Sequence, residues 1–182
     1  MTWRTHLMGG VVSLAPLVLL PHDTLAAGEV GLCALLAALG SLLPDLDASE
    51  SHLKHLKLLG TTITPFSVPA VHLNRTLGHR GLLHSLLGLG VVGLLVGVPL
   101  AVFVGPLAGL ALLLGYASHL ALDACTKHGI VLLYPNPKRL HLLPAGFRVT
   151  TGSTAEEPVF VLLALLAVVL LLRLLAPVFL NA

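Results

Sequence analysis

The sequence predicts an all-α integral membrane bundle of about five transmembrane helices, forming one domain over residues 1–182. Hydrophobic residues make up 56% of the chain and charged residues only 10%, whereas soluble domains have about 25% charged residues. The apolar residues also occur in long segments, close to the roughly 17 to 25 residues that a membrane-spanning helix needs. This composition excludes a disordered or water-soluble chain, and a net charge of +2 argues against nucleic-acid binding.

Prolines and glycines divide the apolar sequence into five candidate helices. Pro21 and Pro44 end the first two, because proline does not fit a helix interior. Gly105 and Pro106 predict a tight turn between the third and the fourth, and Pro158 suits a helix start. The predicted helices cover residues 7–20, 26–43, 81–103, 107–124 and 158–179.

The basic residues predict the orientation in the membrane. Two long polar segments, residues 45–80 and 127–157, lie on one side of the predicted bundle, and nine of the ten Lys and Arg residues lie on that side. Only Arg173, within the fifth helix, does not. The positive-inside rule then places the N-terminus and the long loops in the cytoplasm and the C-terminus outside. Within the first loop, residues 51–59 have the spacing of a short amphipathic helix lying in the interface.

Ionisable side chains gather at the predicted cytoplasmic ends of the helices. Up-and-down connections bring all these ends to one face, and ionisable groups at membrane depth are functional candidates because burying them is costly. The residues are His6 on the first helix, Asp45 and Asp47 after the second, His79, Arg80 and His84 around the start of the third, His119 and Asp123 on the fourth, and Glu156 before the fifth.

Imidazoles combined with carboxylates are the ligands of zinc or a similar divalent ion. Taken singly, each of these residues is typical of a polar helix end. Together they predict a metal site with ligands for about one to three ions, in which Asp123 can bridge two metals for phosphoester displacement. His119 and Asp123 share one helix face because they are four residues apart. The sequence has no GxSxG, P-loop or HExxH motif.

Three sequence strings resemble a known family. They are LPDLD at residues 43–47, HRGLLHS at residues 79–85 and SHLALDACT at residues 118–126, with His6 before them and Glu156 after them. In this order, over nearly the whole chain, they resemble the YdjM-like family of inner-membrane, metal-dependent hydrolases, some of which are regulated by LexA. The resemblance implies an inner-membrane location.

That family is similar in motif order to the zinc-dependent phospholipase C group, which implies a helical core with histidine and aspartate ligands. The soluble phospholipases use further ligands near their C-termini that have no assigned counterpart in this chain. The resemblance implies as metal ligands His6, Asp45, His79 or His84, His119 and Asp123, with Asp47 and Glu156 as ligands or as supports for them.

These observations predict a membrane-embedded phosphoesterase acting on a phospholipid or isoprenoid phosphate at the cytoplasmic interface. The metal would activate water, Arg80 or a second metal would stabilise phosphoryl charge, and Asp47, His84 or Glu156 would take the remaining catalytic roles. The alternatives are a metal-binding or transport protein without enzymatic activity, or a metal-dependent hydrolase of another bond. A transporter would need ionisable groups across the bilayer, whereas here they stop at one face. The expected partners are the bilayer and a lipid substrate, and no oligomeric state is predicted.

Overall fold

Helices form nearly all of the regular structure in the computed structural model, which describes residues 1–19, 26–47, 56–58, 61–63 and 82–180. The all-α prediction is therefore confirmed. One of the long helices contains a π-helical turn at Gly93–Gly97. The helices are α1 (Trp3–Val12), α2 (Ala27–Gly40), α3 (Leu86–Phe103), α4 (Pro106–Ala124) and α5 (Glu157–Leu180).

Three segments of the described chain are long and apolar enough to cross a membrane. They are Leu86–Phe103, Pro106–Ala124 and Thr154–Ala176. Helix α2 is apolar but has 14 residues, and α1 has 10 residues, or about 15 Å at 1.5 Å per residue. The count of five spans therefore remains a prediction.

Three predicted helix boundaries were wrong. Helix α1 starts at Trp3, four residues before the predicted start at residue 7, and the two other errors each have one residue as their cause. Helix α1 stops at Val12, well before the predicted end at residue 20, because the ring of Pro16 does not fit beside the carbonyl of Val12. Helix α3 starts at Leu86 instead of residue 81, because Ser85 is its N-cap and its hydroxyl accepts a hydrogen bond from the Gly88 N–H. His84 thus precedes the helix.

The predicted interfacial helix over residues 51–59 was also wrong where the structure describes it. Leu56–Leu58 is a strand, β1, paired antiparallel with β2, Thr61–Ile63, and Lys57 lies opposite Thr62. The partner strand consists entirely of β-branched residues, which favour extended structure. Residues 51–55 and 59 lie outside the described residues.

Helix α4 is the centre of the bundle and packs most extensively against α2. The two backbones approach closely at glycines: a Cβ atom on Gly115 would overlap the carbonyl of Ala37, and one on Gly40 would overlap the carbonyl of Leu112. Small residues allow such contacts between membrane helices. Helices α3 and α5 instead present exposed leucines outward, such as Leu95 and Leu165, as a surface facing lipid requires.

The segment after α4 folds back over one end of the bundle. The Leu142 N–H donates to the carbonyl of Ala124, the Val149 N–H donates to Cys125, and the Leu86 N–H donates to Leu132. These bonds hold the segment against the end of α4 and the start of α3. The start of α1 and the start of α5 meet at the same end, which we call the polar end.

Candidate metal centre

Four separate pieces of the chain bring ionisable side chains to the polar end. His6 lies in the first half of α1, and Asp45 lies in the 3-10 turn that follows α2. His84 lies in the turn before α3, and His119 and Asp123 lie in the last two turns of α4. The structure thus brings together five of the six residues that the sequence suggested as metal ligands.

The Nε2 atom of His119 lies at the centre of this cluster. It is 3.3 Å from Nε2 of His84, 3.7 Å from Oδ2 of Asp123 and 3.8 Å from Oδ1 of Asp45. The Nε2 atom of His84 is also 3.4 Å from Oδ1 of Asp45. The Nε2 atom of His6 is 3.2 Å from Oδ1 of Asp123, and its ring stacks on that of His119 with centroids 3.7 Å apart.

A backbone carbonyl sets the orientation of the His119 ring. Nδ1 of His119 lies 2.7 Å from the carbonyl oxygen of Ser41, just past the end of α2. Because a carbonyl only accepts, we assign the proton to Nδ1, which leaves the Nε2 lone pair directed at the cluster. The sequence did not reveal Ser41, because any residue supplies a carbonyl. The unpaired carbonyls at a helix end were the only available signal.

A second contact fixes the turn that carries His84. The hydroxyl of Tyr116, one turn before His119 on α4, donates to the carbonyl of Leu83 at 2.5 Å. Tyr116 is fully buried. Helix α4 therefore supplies two candidate ligands and also positions a third, a role for Tyr116 that the sequence did not predict.

The cluster is buried, although its members are ionisable. His6, His84 and His119 are at most 2% exposed and Asp123 is 6% exposed, whereas the side chain of Asp45 is 26% exposed. Among the described residues, neither ring nitrogen of His6 makes a hydrogen bond of normal geometry, although Nε2 lies near Asp123. Burying unsatisfied polar atoms is costly, and a bound cation would remove that cost at Nε2.

The donor atoms fit a divalent metal ion. Within each of two groups of three residues, the donor atoms lie within 4.8 Å of one another. The first group is His6, Asp45 and His119, and the second is His84, His119 and Asp123. Neutral imidazoles with carboxylates suit zinc and related first-row metals. In this structure the amino group of Met1 also contacts Oδ1 of Asp123.

Asp45 is ionised in this environment. Burial opposes its ionisation, but a hydrogen bond with His84 and favourable electrostatic interactions with the His119, His6 and His84 side chains outweigh burial and lower the pKa of Asp45 to about 2. Asp45 follows α2 and lies outside the candidate membrane spans. It therefore offers a carboxylate to a cation at neutral pH.

Glu156 lies at the polar end but belongs to neither ligand group. Its Oε1 accepts hydrogen bonds from the Thr2 N–H at 2.6 Å, the Thr2 hydroxyl at 2.8 Å and the Thr5 hydroxyl at 2.6 Å. Its Oε2 accepts one from the Gly152 N–H at 2.7 Å. Glu156 thus ties the segment before His6 to the loop before α5, which is the arrangement of a positioning residue.

Three predicted site residues are not located by the structure. His79, Arg80 and the side chain of Asp47 lie outside the described residues, so their assigned roles remain predictions. The described loop histidines, His128 and His141, belong to neither ligand group.

Comparisons with known proteins identify the family. Residues 1–179 match the family model described as "YdjM inner membrane protein". The chain is 31% identical over 161 residues to "Uncharacterized protein YvsG" of Bacillus subtilis (strain 168), covering 86% of each protein. It is 37% identical over 110 residues to "Inner membrane protein YdjM" of Escherichia coli (strain K12), covering 58% of this chain and 50% of that protein. No solved structure matches. The chain therefore belongs to the YdjM family of inner membrane proteins, as its sequence motifs suggested.

Proposed function

We propose that this protein is a membrane-embedded, metal-dependent hydrolase that cleaves a phosphoester of a lipid-linked phosphate. The observation that carries the proposal is the convergence of three buried imidazoles and two carboxylates at one end of an apolar bundle. Burying these ionisable side chains is costly unless they bind a cation. Its position at the end of the helices supports a substrate whose phosphate lies at the membrane interface.

His119 would contribute Nε2 to the metal, with His6 and Asp45 or with His84 and Asp123 completing the shell. Because the Nε2 atom of His119 binds only one cation, the two groups are alternative sets of ligands for a single ion at His119. A second ion would bind the ligands that the first ion leaves free. A bound zinc ion would supply Lewis-acid chemistry and activate water for attack on phosphorus.

Other residues of the chain would orient the metal ligands, and the exposed side of the cluster would admit the substrate. Ser41 holds the His119 ring in one tautomer, and Glu156 anchors the segment that precedes His6. Asp45 is the most exposed member of the cluster, so we propose that water and the phosphate approach from its side. His84 or Asp47 would transfer the proton to the leaving group, and Arg80 would stabilise phosphoryl charge.

We propose that the polar end faces the cytoplasm. The described loop at this end carries Lys127, Lys138, Arg139 and Arg148 and lies after the α4 span. Positive charge near span ends marks the cytoplasmic side. The N-terminus would then be cytoplasmic, because α1 starts at the polar end.

The distribution of charge favours a hydrolase over a transporter. Helix α3 contains no charged residue, Asp123 is the only one in α4, and in α5 only Arg173 lies beyond the first turn. A pathway for ions would need ionisable groups throughout the bundle. This pattern supports chemistry at one interface.

The test combines metal analysis with a substrate screen. The detergent-purified protein would be analysed for bound metals and then incubated with phospholipids, phosphatidic acid and isoprenyl phosphates, with and without added zinc or manganese. Retained metal and release of phosphate or of a phosphorylated headgroup are expected, and Asp123→Asn should abolish the release. Metal retention without hydrolysis, accompanied by metal uptake into protein-containing vesicles, would instead support transport. Absence of bound metal under all conditions would contradict the proposal.

A further inference from the structure

An apolar groove of about 220 Å³ lies on the outside of the bundle, bordered by α3, α4 and the loop after α4. Leu120, Ala121 and Ala124 form its floor on one face of α4, and Leu86 closes it on the α3 side. Leu140 and Leu142 of the loop form the opposite edge. All the described residues that line the groove are apolar.

The groove lies beside the candidate metal centre. Leu120 directly follows His119, and Ala124 directly follows Asp123. The groove and the ligands therefore occupy neighbouring faces of the same two turns of α4. A molecule lying in the groove would have one end at the level of the metal ligands.

The loop edge of the groove directly follows two basic residues in the sequence. Residues 124–155 contain no Asp or Glu, and Lys138 and Arg139 directly precede Leu140. The guanidinium of Arg139 donates to the carbonyl of His128 at 2.9 Å, which holds this basic edge near the end of α4. An apolar groove with a cationic edge complements a molecule that has a hydrocarbon chain and an anionic head.

We propose that this groove binds a hydrocarbon chain of one anionic lipid, whose phosphate is held at the edge formed by Lys138 and Arg139. The occupant comes from the adjoining leaflet, since the groove opens on the outer surface of two helices that are long and apolar enough to span the membrane. That this lipid is the substrate rests on the proposed function, whereas the binding of the lipid does not.

The binding test uses the full chain in nanodiscs containing a phospholipid with a photoactivatable group in its acyl chain. After irradiation, we expect labelled peptides mainly from residues 117–124 and 130–142, with more labelling by a phosphatidic acid probe than by a phosphatidylcholine probe. Ala121→Trp, which fills the groove from an exposed position, should reduce the labelling at least threefold. Leu165→Trp, on the outward face of α5, is the matched control and should leave it unchanged.

A second variant tests the charged edge without filling the groove. Lys138→Gln combined with Arg139→Gln should remove the preference for the anionic probe while labelling by phosphatidylcholine persists. Labelling of the outer faces of α3 and α5 that is as strong as labelling of the groove peptides would overturn the proposal. So would labelling of the groove that neither variant changes. A change of oligomeric state in Ala121→Trp with unchanged labelling would overturn it in favour of a subunit interface. Should Ala121→Trp fail to fold, Leu142→Gln at the exposed edge replaces it, with the same expected loss.

The outcomes also separate this inference from the proposed function. Groove labelling in a protein that hydrolyses none of the lipids would support the lipid site and contradict the hydrolase. Hydrolysis of long-chain substrates that is unchanged in Ala121→Trp, without groove labelling, would support the hydrolase and overturn the groove as its lipid site.

Discussion

The carbonyl oxygen of Ser41 and Nδ1 of His119 lie 2.7 Å apart, which joins the end of α2 to the candidate metal centre on α4. The direction of the His119 ring therefore depends on how closely the two helices pack. That packing requires Gly40 and Gly115, where any side chain would meet the opposite backbone. The geometry of the centre is thus set by a helix contact that contains no candidate ligand.

Replacing His119 or Asp123 by alanine should lower metal affinity by more than about tenfold, since each removes a donor from the centre. Metal content per protein, measured by elemental mass spectrometry after dialysis against a defined free-zinc concentration, provides the test. His128→Ala is the matched control, because His128 is an exposed histidine outside both ligand groups. Equal metal content in all three variants would contradict the assignment.

Gly115→Ala should destabilise the protein by about 1–3 kcal/mol and weaken metal binding, because the added Cβ pushes α2, and with it Ser41, away from α4. Gly90→Ala is the control. Gly90 is exposed on α3 with open space around it, and alanine there favours the helix by roughly 0.5–1 kcal/mol. Thermal unfolding in detergent measures both effects. Equal unfolding temperatures of the two variants would contradict this role of the contact at Gly115.

Glu156→Gln should destabilise the polar end by about 1–3 kcal/mol, because an amide NH₂ cannot accept the hydrogen bonds that both carboxylate oxygens now receive. At saturating metal, the variant should still bind its ion, since Glu156 belongs to neither ligand group. Glu157→Gln, at an exposed neighbouring position, should change neither property. Loss of metal as complete as in His119→Ala would make Glu156 a ligand instead.

Much of this architecture follows from the sequence, because apolar segment length and proline position largely determine helices in a membrane. The predicted boundaries of α2, α4 and α5 agree with the structure to within about three residues. The meeting of His6, Asp45, His84, His119 and Asp123 followed from up-and-down connectivity alone.

The remaining features depend on contacts that leave no side-chain pattern. The carbonyls of Ser41 and Leu83 orient two candidate ligands, yet backbone groups are present at every position. The start of α3 depends on Ser85, which caps the helix in the structure. A serine inside the helix would be equally compatible with the apolar sequence that follows, so the sequence did not distinguish the two positions. The strand Leu56–Leu58 depends on pairing with Thr61–Ile63, a tertiary contact that overrode a helical spacing.

The orientation of the chain is tested by reporter fusions. A fusion after Val104, in the turn between α3 and α4, and one after Ala182 should both report a periplasmic location. A fusion after Pro137, in the basic loop of the polar end, should report the cytoplasm. A periplasmic signal at Pro137 would reverse the orientation and place the candidate metal centre at the outer face.

For one headgroup, a long hydrocarbon chain on the substrate should raise kcat/KM. The candidate ligands are buried, and the adjoining groove on α4 is apolar, so a lipid phosphate would gain binding energy from its hydrocarbon chain as well as from the metal centre. The groove would hold the chain so that the phosphate lies beside the metal ligands, and we therefore expect kcat/KM to be at least about tenfold higher for the long-chain substrate. The measurement compares kcat/KM for long-chain phosphoesters in mixed micelles with that for short, water-soluble analogues of the same headgroup. Ala121→Trp should reduce the difference by lowering only the long-chain value, and Leu165→Trp should preserve it. Equal values in the unaltered protein would contradict lateral entry from the bilayer and favour a cytosolic phosphoester.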